Sequence, residues 1–144
     1  MVKVFLDSSV LVAAAFSRTG ASSYLLNLGK KRKVDLVVSR FVLDEAHNNI
    51  LKKGGEKEKD SFNYLLKNAN LKIISADNFF LKNLCKKIIH PKDAEVLADA
   101  ILSKSDYLLS LDKKHFFTKD VKEFADKTEI LLPGEFVHKW EKES

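Results

Sequence analysis

Val2-Lys3-Val4-Phe5-Leu6-Asp7-Ser8-Ser9-Val10 is the stretch that decides the fold. Residues 2–6 are a nearly continuous apolar run, the pattern of a strand covered on both faces, and an acid follows it directly. The same grammar recurs along the chain. Strands are predicted over Asp35–Ser39, Leu71–Ser75, Tyr107–Leu111 and, more briefly, Glu129–Leu132. Helical periodicity fills the gaps: Val10–Phe16, Ala21–Leu28, Phe41–Lys52 behind an N-cap at Ser39, a charged start at residues 56–60 running to about Asn68, Phe79–Ile88, Pro91 to about Lys104, and Val121–Ala125. Gly54-Gly55 ends the Phe41 helix, Pro133-Gly134 reads as a break, and Glu135–Glu143 reads as a short tail. Alternating strands and helices predict a mostly parallel central sheet between helical layers, a three-layer α/β/α sandwich.

The bulk numbers fit one domain over residues 1–144. At 45% hydrophobic the chain can bury a core without disulfides, and its single cysteine, Cys85, sits among Leu84 and Ile88-Ile89 as a small buried hydrophobe. No basic leader with a long apolar stretch is visible, and no apolar run approaches the ~20 residues that cross a bilayer, so a cytoplasmic protein with no membrane contact is expected. The formal net charge of +5 favours polyanionic partners.

Four acids stand out. Asp7 and Asp112 each follow an apolar run, which places them at the carboxyl edge of the sheet, where open α/β folds build sites. Asp7 is a helix cap or a ligand; Asp112 is a turn residue or a ligand, with Ser110 two positions earlier on the same side of an extended strand to orient it. Glu45 lies near the edge of the Val42/Ala46/Ile50 stripe, with Asp44 competing for its role. Asp93 is a favourable first-turn acid behind Pro91, yet it heads the inward Leu97/Ala100 face, whereas Asp99 lies about 120° around that helix. An acid pair of the HAD phosphatase kind would need a second Asp where Ser9 stands. A receiver-like phosphoacceptor domain would need an acidic pair at Ser8-Ser9 and an acceptor Asp at Ser75-Ala76, although Asp77 is close by.

The four positions together are more specific than any one. Phe5-Leu6-Asp7-Ser8-Ser9-Val10-Leu11-Val12, then Ser39 through Glu45, then Pro91-Lys92-Asp93-Ala94 with Val96-Leu97-Ala98, then Ser105 through Phe116 resemble, in order and spacing, the four motifs of PIN-domain nucleases, closest to VapC-like toxin components. Ser9 stands where the family commonly has Asn, and Ser110 where it often has Thr. The resemblance implies a ribonuclease whose Asp7, Glu45, Asp93 and Asp112 are catalytic and hold metal, with RNA as substrate, a homodimeric state and a cognate antitoxin as partner. An all-carboxylate donor set suits Mg²⁺ or Mn²⁺ rather than zinc. Lys113 and Lys114 are candidate contacts to flanking phosphates. His115, the histidine nearest a candidate acid, reads as a surface or shell residue. Phe79-Phe80 and Phe116-Phe117 offer aromatic faces, with at least one of each pair expected in the core. A non-catalytic binding module of the same fold and a housekeeping RNA-processing nuclease are the alternatives.

Overall fold

The computed structural model describes residues 1–75 and 77–143; Ala76, weighed above against a receiver-like acceptor site, and Ser144 lie outside the described residues. Five strands, β1 (Lys3–Leu6), β2 (Asp35–Ser39), β3 (Lys72–Ile74), β4 (Tyr107–Leu109) and β5 (Glu129–Leu131), form one sheet in the order β3-β2-β1-β4-β5. Every neighbouring pair is parallel, with Phe5 opposite Val37 on one side of β1 and opposite Leu108 on the other. Val4, Phe5 and Leu6 are fully buried, which is why this strand reads as an unbroken apolar run.

The helices are α1 (Ser8–Phe16), α2 (Ala21–Lys30), α3 (Arg40–Lys53), α4 (Glu56–Asn68), α5 (Phe79–Cys85), α6 (Pro91–Leu102), α7 (Lys113–Phe116), α8 (Lys119–Phe124) and α9 (Pro133–Glu143). α1 packs on α2, α3 and α4, α2 packs on α9, and α5 packs on α6. This is the expected three-layer α/β/α arrangement. Ser39 caps α3 by accepting from the Val42 amide at 3.2 Å, and Val42, Ala46 and Ile50 form its buried stripe. Cys85 is fully buried, and burial pushes its thiol up to about 11, so it is a packing residue rather than a nucleophile. No helix among the described residues is long and apolar enough to cross a membrane.

Four expectations change. β4 ends at Leu109 rather than Leu111, because Ser110 and Asp112 turn the chain into α7, a four-residue helix too short to leave a periodic trace. The C-terminal segment is helix α9 and no loose tail. Pro133, the residue read as a breaker, is its first residue, where a fixed φ suits a helix start. Phe136 is buried by its edge-on contact with Tyr107 (ring centroids 5.1 Å) and its stack on Trp140 (6.3 Å). Finally, Phe79 and Phe80 are both exposed, at 73% and 74%, so neither joins the core, whereas Phe116 is fully buried and Phe117 partly so.

Removing the buried ring that docks α9 leaves a cavity. Phe136→Ala is expected to lower unfolding stability by roughly 3–5 kcal/mol in a urea melt. A loss under about 1 kcal/mol would mean that the C-terminal helix does not pack as described.

Candidate active site

The direction of winding reverses between β1 and β4. From β1 the chain builds outward through β2 and β3, then returns to the other side of β1 for β4 and β5. Such a switch point opens a crevice at the carboxyl ends of the two central strands. Asp7 follows β1 there, and Asp112 follows β4.

Two serines stitch these ends together. The Asp7 amide continues the ladder by donating to the Leu109 carbonyl at 3.0 Å. The Asp7 side chain is 4% exposed, and its Oδ2 accepts from Ser110 Oγ at 2.7 Å and from Ser9 Oγ at 2.9 Å. Each hydroxyl also accepts an amide from the segment after β4: Ser110 Oγ from Asp112, two residues on, at 3.0 Å, and Ser9 Oγ, across from the β1 side, from Leu111 at 3.0 Å. Asp7 occupies the N-cap position of α1 without making a capping bond, so its carboxylate is committed to the serines. Ser110, singled out in the sequence, meets the backbone amide of Asp112 and the carboxylate of Asp7. Burial raises the Asp7 carboxyl above the ordinary range, against the lowering effect of the two serines.

Glu45 is half-buried on α3, and its Oε1 accepts from Ser8 Oγ. Asp44, its competitor, is exposed and lines a separate cleft of about 360 Å³ with Ser39, Lys82, Glu95 and Asp99. Asp99 is thus kept apart from the four acids, and burial with the Glu95 charge raises it to about 6. A larger cleft of about 790 Å³, lined by Tyr24, Lys30 and Tyr64 among others, also excludes the four acids.

Asp93 sits in the first turn of α6, with its side chain 13% exposed. It is pushed up to about 6, first by burial and then by the charges of Asp7 and Asp112, with Glu45 adding and His115 opposing. Asp112 caps α7: its Oδ1 accepts from the His115 amide at 3.1 Å. The His115 ring folds back over both acids, with Nδ1 2.7 Å from Asp112 Oδ2 and 3.2 Å from Asp93 Oδ2. Ligand atoms of Asp93, Asp112 and His115 all lie within 4.8 Å of one another. His115, read from the sequence as a surface or shell residue, is one-third exposed and touches both acids; the i, i+3 spacing from Asp112 brings the side chains together once that segment is helical. Lys113 and Lys114 are both exposed on α7.

Asp93, Asp112 and His115 are the group whose ligand atoms lie close enough to hold one divalent ion. Asp7 and Glu45 lie outside that group, but their charges add to the upward push on Asp93, which a cation would relieve.

A family model for the PIN domain matches residues 3–114. The chain belongs to the PIN domain family, whose members are generally nucleases. No curated protein gives a significant match. Among solved structures, the chain is similar to one in the crystal structure of VapBC2 from Rickettsia felis bound to a DNA fragment from their promoter. That match has a TM-score of 0.68 at 18% identity, covering 90% of this chain and 98% of that one. At this identity the likeness speaks to the fold.

The raised Asp93 carboxyl sets a pH dependence. The unfolded chain releases its proton near the ordinary 3.8 and the folded chain near 6, so between these values the folded state binds more protons. Metal-free protein is therefore expected to lose stability as pH rises from about 4 to 6. Asp93→Asn should shallow that slope and be more stable than wild type at pH 7 by about 1–3 kcal/mol, with the remaining slope shared by the other raised acids, Asp7 and Asp99. Denaturant melts in EDTA across this range check it; an unchanged slope would sink the electrostatic account.

Proposed function

We propose that this chain is a metal-dependent endoribonuclease, with Asp7, Glu45, Asp93 and Asp112 as its catalytic and metal-holding residues, and that it is the toxin of a toxin–antitoxin pair. The observation that carries the reading is the group of Asp93, Asp112 and His115, whose ligand atoms lie within 4.8 Å of one another at the β1/β4 switch point, with the charges of Asp7 and Glu45 also felt at Asp93. Family membership supports hydrolysis of a nucleic-acid backbone, and the fold shared with a chain of a VapBC complex supports the toxin assignment. One core cluster reaches from Val4 to Phe136, which supports reading residues 1–144 as a single PIN-like domain.

Asp7, Asp93 and Asp112 would hold Mg²⁺ or Mn²⁺, and Glu45 would ligate it or hold its water. The bound ion would acidify a water and neutralise charge growing on the scissile phosphate. Ser110 and Ser9 fix the Asp7 carboxylate, and Ser8 fixes Glu45, so the acids meet the ion already oriented. Lys113 and Lys114 would hold flanking phosphates of the RNA, a role their exposure beside Asp112 supports. The partners in this reading are RNA, a second copy in a homodimer and a cognate antitoxin, in the cytoplasm.

The test is cleavage of a mixed RNA pool by wild type and Asp7→Asn, each with Mn²⁺, Mg²⁺ or EDTA. Wild type with metal is expected to cut, and Asp7→Asn to lose ~10²-fold or more. Equal cutting by both, or none by either, would replace this reading with that of a non-catalytic binding module. Independently of activity, saturating metal at ~100 times its Kd should stabilise the fold by about 2.7 kcal/mol. An unmoved thermal transition at millimolar metal would count against the site.

A further inference from the structure

We propose that His115 is a direct nitrogen ligand of the ion held by Asp93 and Asp112, and that this ligand makes the centre select Mn²⁺ over Mg²⁺. The inference rests on the carboxylate site proposed above and adds to it a donor of a different chemical kind.

The geometry is that of a coordination face. One ring nitrogen, His115 Nδ1, stands 2.7 Å from Asp112 Oδ2 and 3.2 Å from Asp93 Oδ2. Two ligand atoms bound at right angles with bonds of ~2.1–2.2 Å are about 3 Å apart. Both contacts of Nδ1 therefore have the spacing of neighbouring ligands on one ion, and the three ligand atoms lie within 4.8 Å of one another. Without an ion Nδ1 is within hydrogen-bonding distance of Asp112 Oδ2, and a bound ion would replace that contact.

The ring is also held in place from several sides. Phe116, the next residue, is fully buried and anchors α7. The His115 amide is fixed to Asp112 Oδ1 at 3.1 Å, so the acid and the imidazole come as one unit. The His90 ring lies against it, with centroids 5.4 Å apart, while His90 Nδ1 is occupied in accepting from the Lys92 amide at 3.1 Å. His90 is therefore a wall rather than a competing ligand through that atom. The His115 side chain is one-third exposed, which leaves room for an ion and its waters to enter.

The chemistry follows from the donor. Mg²⁺ takes oxygen ligands and gives up its waters reluctantly, so an imidazole adds little to its binding. First-row transition ions accept imidazole readily. An otherwise all-oxygen site with one nitrogen tilts toward that class, for which Mn²⁺ is the spectroscopically visible probe.

The experiment uses the intact chain with substoichiometric Mn²⁺. Pulsed electron paramagnetic resonance reads ¹⁴N coupling from a directly bound imidazole. Parallel titrations measure Kd for Mn²⁺ and Mg²⁺ in wild type, His115→Ala, His115→Gln and Asp93→Asn. Wild type is expected to show nitrogen coupling that both His115 variants lose. Their Mn²⁺ affinity should fall roughly 10–100-fold with Mg²⁺ affinity nearly unchanged, whereas Asp93→Asn should weaken both ions. His115→Gln keeps a polar side chain, so a loss of coupling there with an unchanged thermal transition separates ligation from folding. Mn²⁺ bound without nitrogen coupling, or both ions weakened alike by the His115 variants, overturns the inference and leaves the carboxylate site standing. If wild type binds neither ion, both fall.

Discussion

The hydrogen bond from Ser110 Oγ to the buried Asp7 carboxylate is the contact on which the rest of the site depends. It joins the exits of the two central strands, and it does so with a hydroxyl that also holds the Asp112 amide. Ser9 makes the mirror connection from the other side. Two short side chains thus set the separation of two backbone segments and aim one carboxylate. The parallel ladder beneath supplies rigidity: Leu6 opposite Leu109 fixes the register, and an immovable register fixes where both acids emerge.

Gathering like charges above an apolar sheet costs stability. The protein bears that cost at Asp93 and tempers it nearby. The two serines lower Asp7, and the imidazole of His115 opposes the upward push on Asp93. Such local conflict between stability and arrangement is what functional sites look like in otherwise consistent folds. Asp99, another raised acid, differs in kind. It has Ser39 to bond with and Lys82 as a compensating charge, so its surroundings already answer much of its need.

Much of this was legible in the sequence because it follows from period and punctuation. The nearly continuous apolar runs before Asp7 and Asp112 declared buried parallel strands, and the stripe of Val42, Ala46 and Ile50 put Glu45 near its edge, while the choice between Glu45 and Asp44 stayed open. Strand order was not legible: nothing local in Tyr107-Leu108-Leu109 says that it pairs with β1 rather than β3. The contact of His115 with Asp93 was not legible, because it needs both a four-residue helix and the start of α6, two segments that only the tertiary fold brings together. At the C-terminus, Pro133-Gly134 carried two valid meanings, break and helix start. The Phe136/Trp140 spacing decided between them, and that spacing counts only once Tyr107 is there to receive the ring.

The span between Asp7 and the serine that holds it, 103 positions, has a consequence for how the protein comes into being. Contacts so remote in the chain form late, because the entropy of closing a long loop must be met before they reward the chain. During synthesis β1 can pair with β2 early, while β4 and the acid behind it are still to be made. The β1–β2–β3 half of the sheet can exist with Asp7 in position and Asp112 absent. All four acids are in place only when β4 docks. Assembly order is therefore a built-in delay: nascent chains of this protein carry an incomplete centre until about three-quarters of the sequence has been laid down.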